Sequence, residues 1–307
     1  PIFLMILKPF FNLEFAQNLT PENLFTSAEI YKHLFLLKVP YLIFDFLAAI
    51  FLIKLFNLEK EKRTAFILWI FNPVSLYSAY MIGQFDIIPT FFIVLALYYA
   101  GKNHTLSLLS LGIGGALKVF PLLLVPFAAI ILGKTVSKRI QLFILGVLPF
   151  MAISAPFAIS QAFRSVALFS AQSQKLLFAG INVSGADVIY LFVVFYFFLI
   201  LFAVKFSGEE KSLWKFFLAV FLLFYSVTNY HPQWFSWVTP LLILLVIYNR
   251  SYLIYVAIIL ISFLGVTLLF EPSLSIEFKN ISPAPIVSIF FAHLIGANPV
   301  AFLPLSE

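Results

Sequence analysis

Asp45, Asp86 and Lys118 are ionisable side chains standing in strongly apolar stretches of a 307-residue sequence. A charge inside a membrane span costs several kcal/mol unless it is paired or hydrated, which makes each a candidate for function. Asp86 follows Asn72-Pro73 and closes the run Gly83-Gln84-Phe85-Asp86, where proline and glycine open the backbone and bring an amide and a carboxylate together. Such a pair, Gln84 with Asp86, can hold sugar hydroxyls or orient an acceptor; the plain alternative is an exposed loop aspartate. Lys118, in Gly114-Gly115-Ala116-Leu117-Lys118-Val119-Phe120-Pro121, emerges where glycines and a proline break a helix. Its ammonium can meet a lipid phosphate at the bilayer edge, or simply snorkel to the interface. Asn229-Tyr230-His231-Pro232-Gln233-Trp234 gathers amides, an imidazole and aromatic rings. Imidazole suits phosphate and flat rings suit sugar C–H faces; an aromatic belt explains Tyr230 and Trp234 but not Asn229, His231 and Gln233 beside them. Asp45 reads as a helix-packing carboxylate. Arg164 and Lys175 read as solvated loop charges that can add to a phosphate site.

The elements that must position these groups are helices in a bilayer. The chain is 63% hydrophobic and 10% charged, with mean hydropathy +1.05, too little polar surface to face water. Apolar runs of roughly 14 to 20 residues alternate with short polar loops, as a hydrocarbon core of roughly 30 Å requires. The expected fold is all-α and polytopic, with about 10–11 transmembrane or re-entrant helices. Expected spans are residues 41–56, 64–81, 87–100, 106–132, 140–159, 188–204, 213–227, 234–248 and 252–270, with a short 286–295. Residues 190–204 are apolar all round, which excludes the in–out alternation of a membrane barrel. Residues 106–132 lie between two loops of the same side and are too few for two full crossings, so a short hairpin or broken helix is expected. The chain reads as one transmembrane domain over residues 1–307, with an outer-face amphipathic stretch at 1–40 and a helical bundle at 41–297.

Charge orients the bundle. Lys54, Lys60, Lys62, Arg63, Lys102, Lys134, Lys138, Arg139, Lys205, Lys211, Lys215 and Arg250 fall on one consistent side, twelve of the nineteen Lys and Arg residues. The positive-inside rule makes that side cytoplasmic. The opposite face then carries residues 12–40, the tip at 83–86, the loop at 160–187 and the tip at 229–233. The net charge of +6 is spread over these short loops, so the basic balance points to the membrane face and not to nucleic acid. With no cysteine and four scattered histidines, disulfides, thiolate chemistry and a histidine zinc site are not expected. No cofactor is expected; a divalent metal stays open. The first residue is Pro1 and no leader pattern precedes it, so the chain reads as a fragment whose N-terminus is missing.

Taken in order, Phe71-Asn72-Pro73, then Gly83-Gln84-Phe85-Asp86, then Leu117-Lys118-Val119-Phe120-Pro121, then Asn229-Tyr230-His231-Pro232-Gln233-Trp234, the sequence resembles the C-type polytopic glycosyltransferases. These use dolichyl- or polyprenyl-phosphate sugars, and the likeness is greatest to mannosyltransferases related to the glycosylphosphatidylinositol pathway. The resemblance spans about residues 41–248. It implies displacement at the anomeric carbon of a polyprenyl-phosphate sugar, often mannose, by an acceptor hydroxyl on a lipid-linked, glycan or protein acceptor. It also implies a principal catalytic acid in the first outer loop, upstream of Pro1, with Asp86 in support. Glu14, Glu22 and Glu29 are not promoted to that role. Lys118 and His231 would then meet the phosphate, and Gln84, Asp86, Asn229, Tyr230 and Gln233 the sugar and acceptor. Phenylalanines would line an isoprenoid groove.

A membrane glycosyltransferase acting on the outer or lumenal face is therefore the expectation, in a prokaryotic cytoplasmic membrane in preference to endoplasmic reticulum. A secondary transporter is the main alternative, because broken helices and charges near the midplane also mark transport pathways. A lipid-linked-glycan polymerase or flippase and a membrane scaffold complete the alternatives.

Overall fold

The computed structural model describes residues 8–10, 28–165, 173–185 and 187–269. Within them the chain is predominantly helical. Helix α1, Ala28–Ile53, starts 13 residues before the expected span at residue 41 and carries Pro40 in its interior, a placement that apolar surroundings and neighbouring helices tolerate. Helix α2, Glu59–Ile70, does not run on to Met81 as the apolar pattern implies. It stops at exposed Phe71, and the Asn72 side chain then caps a fresh turn, Pro73–Ser75, accepting from the amides of Val74 at 2.9 Å and Ser75 at 3.4 Å. Proline at the first helical position needs no amide partner, so the restart is favoured where a continuous helix is not. A π-helical turn, Leu76–Met81, completes this span.

Helices α3, Ile87–Ala100, α4, His104–Leu117, and α5, Val125–Leu132, follow. Between the last two, Lys118 is extended and Phe120–Leu124 forms a 3₁₀ turn, so the segment expected to be a hairpin or broken helix is a hairpin of two short helices. Helix α6, Val136–Ser154, leads to a stretch read from sequence as loop, which instead contains an antiparallel pair, β1, Gly180–Ser184, and β2, Asp187–Tyr190, with Gly180 opposite Tyr190. Helices α7, Leu191–Ala203, α8, Leu213–Val227, α9, Thr239–Tyr248, and α10, Leu253–Leu269, complete the described chain. The expected segment at 286–295 lies outside the described residues, as do Glu14 and Glu22.

Among the described residues, three stretches are long and apolar enough to cross a membrane: Tyr31–Ile53, Val136–Phe157 and Arg250–Thr267. Their apolar side chains are not all needed inside. Phe143, Ile144, Leu148 and Met151 on α6, and Ile254, Ile258 and Ile261 on α10, are exposed. So much contiguous apolar surface is stable against lipid and not against water. The other apolar helices are shorter; α3, with 14 residues, is about 21 Å long at 1.5 Å per residue.

Buried Trp69, Phe127, Phe217, Phe221, Leu108 and Ile131 fill the interior. Helices α1 and α3 lie side by side and run the same way, with Phe44 against Phe91 at 5.3 Å and Phe51 against Tyr98 at 4.9 Å. Helices α4 and α6 approach through glycine. A Cβ on Gly112 would stand 2.4 Å from the Gly146 carbonyl oxygen, and one on Gly146 would stand 2.7 Å from Val125. Small residues at such crossings let backbones pack closely where lipid supplies no hydrophobic drive. Gly112→Ala is therefore expected to destabilise by about 1–3 kcal/mol, lowering the melting temperature of the detergent-purified protein. Gly265→Ala, whose Cβ meets nothing within 4 Å, leaves it unchanged.

Candidate functional site

Three connections at one end of the bundle bring the site together. In the first, the π-helical turn ends with the Ile82 amide on the Tyr77 carbonyl at 2.9 Å, and the Gln84 amide reaches back to the Ser78 carbonyl at 2.8 Å. That closure needs a left-handed residue, supplied by Gly83 at φ +76°. The chain then turns into α3, and Asp86 stands at its N-cap. An aspartate there ordinarily accepts from the helix's own amides. Asp86 does not; its carbonyl takes the Thr90 hydroxyl at 2.7 Å, and its side chain points into the protein.

The Asp86 carboxylate is fully buried. Its Oδ1 accepts from Lys118 Nζ at 2.5 Å and from Trp237 Nε1 at 2.6 Å. Its Oδ2 is buried and has no hydrogen-bond partner among the described residues. Three parts of the chain thus meet on one oxygen: the N-terminus of α3, the apex of the α4–α5 hairpin, and the turn Pro232–Trp237 before α9. The amide end of α3 adds partial positive charge beside the carboxylate.

Asp45 shows what a purely packed carboxylate looks like in the same fold. Both of its oxygens are used, Oδ1 by Trp69 Nε1 at 2.7 Å and Oδ2 by the Tyr80 hydroxyl at 2.6 Å. These bonds tie α1 to α2 and to the π-helical turn. The unpartnered Oδ2 of Asp86 therefore marks the carboxylate whose coordination is incomplete.

Lys118 is partly exposed on its far side, with the Phe85, Trp234 and Trp237 rings 5.4, 5.4 and 5.3 Å from Nζ. An ammonium within about 6 Å of aromatic faces gains cation–π attraction. Trp237 is stacked on Phe120 at 3.6 Å and on Trp234 at 5.1 Å. His231 lies against Trp234 at 5.3 Å, and Lys175 Nζ sits 4.9 Å from the ring centre of the same tryptophan. Burial, then the charges of Lys175 and Lys118, push the His231 imidazole below its ordinary range, while Asp86 pulls weakly the other way. Burial also lowers the Lys175 ammonium. The cluster therefore presents two cations and an imidazole around a partly open aromatic wall.

Of the residues singled out from sequence, Asp86, Lys118 and His231 converge. Lys175 joins them, although the sequence reads it as a solvated loop charge. Arg164 does not; it is exposed and donates to the carbonyls of Ala158 and Ile159 at 2.8 and 2.7 Å. Gln84 is half-buried and Asn229 exposed, and neither side chain has a hydrogen bond to described residues. Tyr230 packs edge-on against Tyr225 at 4.6 Å, and Gln233 is buried, with its carbonyl taking the Ser236 hydroxyl at 3.0 Å. Trp237 is the residue sequence reasoning missed. Its spacing of three from Trp234 on a helical turn was the available signal, since it puts two indoles on one face.

No family model, curated protein or solved structure matches the chain.

Among the described residues, no group of three or more His, Asp or Glu side chains is placed to hold a metal ion. The chemistry on view is that of charge and hydrogen bonding: cations for an anionic group and rings for an apolar or sugar face. His231, held below its unfolded value near 6.5, binds its proton less readily in the folded state. Stability linked to it is present above about pH 6.5 and is lost as pH falls below that value. The wild-type melting temperature should thus fall more than that of His231→Gln between pH 7.5 and 5.5. Parallel curves would show that the imidazole is not so held.

Proposed function

We propose that this chain is a polytopic membrane glycosyltransferase that takes a sugar, with mannose the first candidate, from a polyprenyl-phosphate donor. The single observation that carries the reading is the Asp86–Lys118–Trp237 cluster with Lys175 and His231 beside it, at the end of the bundle opposite the basic loops. An acceptor hydroxyl attacks the anomeric carbon, the bond from that carbon to the phosphate oxygen breaks, and polyprenyl phosphate leaves with the bonding electrons. Negative charge grows on the phosphate as it leaves, and preorganised cations there lower the barrier. Lys118 and Lys175 supply that charge, and neutral His231 donates a hydrogen bond. Asp86, being buried, acts by aiming Lys118 and Trp237. The hydroxyl proton goes to a base, the role that the family resemblance gives to an acid in a first outer loop. Gln84 and Asn229, whose side chains make no hydrogen bond to described residues, are suited to sugar and acceptor hydroxyls. The site lies on the outer face of a prokaryotic cytoplasmic membrane in this reading.

Transport is the second reading, and one observation favours it. Helix α3 separates Asp86 from the basic end by only about 21 Å, less than the roughly 30 Å hydrocarbon core. The ion pair at the apex of a short broken hairpin is in this reading recessed from the far membrane surface, and broken helices with buried charge also line transport pathways.

Membranes expressing the complete reading frame, supplied with labelled polyprenyl-phosphate mannose, separate the two. Transfer to lipid or glycan acceptors is expected, falling by about 10²–10³ in Lys118→Ala and by a smaller factor in His231→Gln at equal protein level. No transfer from polyprenyl-phosphate mannose or glucose would overturn the glycosyltransferase reading, and ion-driven solute uptake in sealed vesicles would establish the transporter.

A further inference from the structure

The opposite end of the bundle carries a cavity of about 680 Å³ that the proposed reaction does not use. Its size falls in the usual range for small-molecule sites, roughly 300–1,000 Å³. It forms where the C-termini of α1, α3 and α9 meet the N-terminal turn of α8. Lys54, Lys102, Lys211 and Lys215 line it, with Trp214, Tyr98 and Tyr248 as aromatic walls. Lys102 Nζ stands 3.7 Å from the centre of the Tyr98 ring, and Lys54 Nζ lies 6.0 Å from the same ring. Two ammonium groups are thereby gathered at one aromatic ring despite their mutual repulsion. None of the four lysines has a carboxylate within ion-pair distance among the described residues. Glu210, the lining carboxylate, is engaged by His104 at 2.8 Å.

Lys54 and Lys102, at helix C-termini, complement the partial negative charge of about half a unit that such an end carries, whereas Lys211 and Lys215 stand at the N-terminal turn of α8, an end that is itself partly positive. Four ammonium groups exceed what three such ends and one shared carboxylate offset. The surplus, concentrated in a concave site instead of spread over a surface, is the arrangement that recognises a compact anion. Trp214 and Tyr248, 5.4 Å apart, add the amphipathic rings that sit at headgroup level in a bilayer.

We propose that this cavity binds a phosphate ester through Lys54, Lys102, Lys211 and Lys215, the ester being either the headgroup of an anionic membrane lipid or a free phosphorylated metabolite. The site is independent of the Asp86–Lys118 cluster.

Native mass spectrometry and thermal shift on the complete purified protein test it with three probes: phosphatidylglycerol, phosphatidylcholine and glycerol 3-phosphate. Phosphatidylglycerol is expected to stay bound at least tenfold more than phosphatidylcholine, to fall to the phosphatidylcholine level in a variant with all four lysines changed to glutamine, and to persist in Lys60→Gln/Lys62→Gln. Lys54→Gln/Lys102→Gln serves as a milder variant in case the fourfold change does not fold, and is expected to lose most of the preference. Glycerol 3-phosphate stabilising the protein with the same lysine dependence assigns the ester to a soluble source; phosphatidylglycerol alone doing so assigns it to the membrane. Equal retention of both lipids with no glycerol 3-phosphate effect, or binding that survives loss of the lysines, overturns the proposal.

Discussion

Burying a carboxylate with no exposed surface costs several kcal/mol unless charge and hydrogen bonds replace the water it loses. Asp86 meets that demand with one lysine and one indole on a single oxygen, each from a different part of the chain. The rest of this end of the bundle follows from the requirement. The α4–α5 hairpin has to stop short so that Lys118 stands at its apex. The Pro232–Trp237 turn has to pack against the π-helical segment and α3 so that Trp237 reaches inward. Gly83 has to turn left-handed so that α3 begins with its aspartate facing the interior. Once Trp237 is fixed, Phe120 and Trp234 stack on it, and His231 and Lys175 are placed by their contact with Trp234.

Much of this was readable from residues alone. A lysine between a glycine pair and Pro121, in an apolar run too short to cross twice, implies an apex; an aspartate after Gly83-Gln84 implies a tip. Which tips touch was not readable, because the partners lie 32 and 151 residues apart, and apolar runs carry no periodicity to align them. The same uniform hydrophobicity hid the break at Asn72, where one side chain capping two amides outweighs continuation of the helix. Pro40, taken as a boundary, sits inside α1 because lipid and neighbouring helices lower the penalty that proline carries in water. The strand pair at 180–190 was missed since Ile181, Val183 and Ile189 are exposed and its alternation has no buried face to show.

The two ends differ in kind. At one, cations are balanced by a buried carboxylate and walled by indoles; at the other, four lysines share a cavity with little to neutralise them. In the proposed function the second pattern orients the chain and the first serves the chemistry on the far side.

The claim on which all this depends is that Asp86 and Lys118 form one coupled unit, and a double-mutant cycle measures that directly. Thermal or chemical unfolding of Asp86→Asn, Lys118→Met and the double variant is the measurement. Lys118→Met leaves the buried Asp86 carboxylate without its cation and is expected to cost about 3–5 kcal/mol; Asp86→Asn leaves the part-exposed Lys118 without its carboxylate and costs less, with the double variant less destabilised than the sum by 1 kcal/mol or more, within the range of about 0.5–3 kcal/mol seen for contacting residues. Costs that simply add would mean that the two side chains do not depend on each other, and would contradict the account.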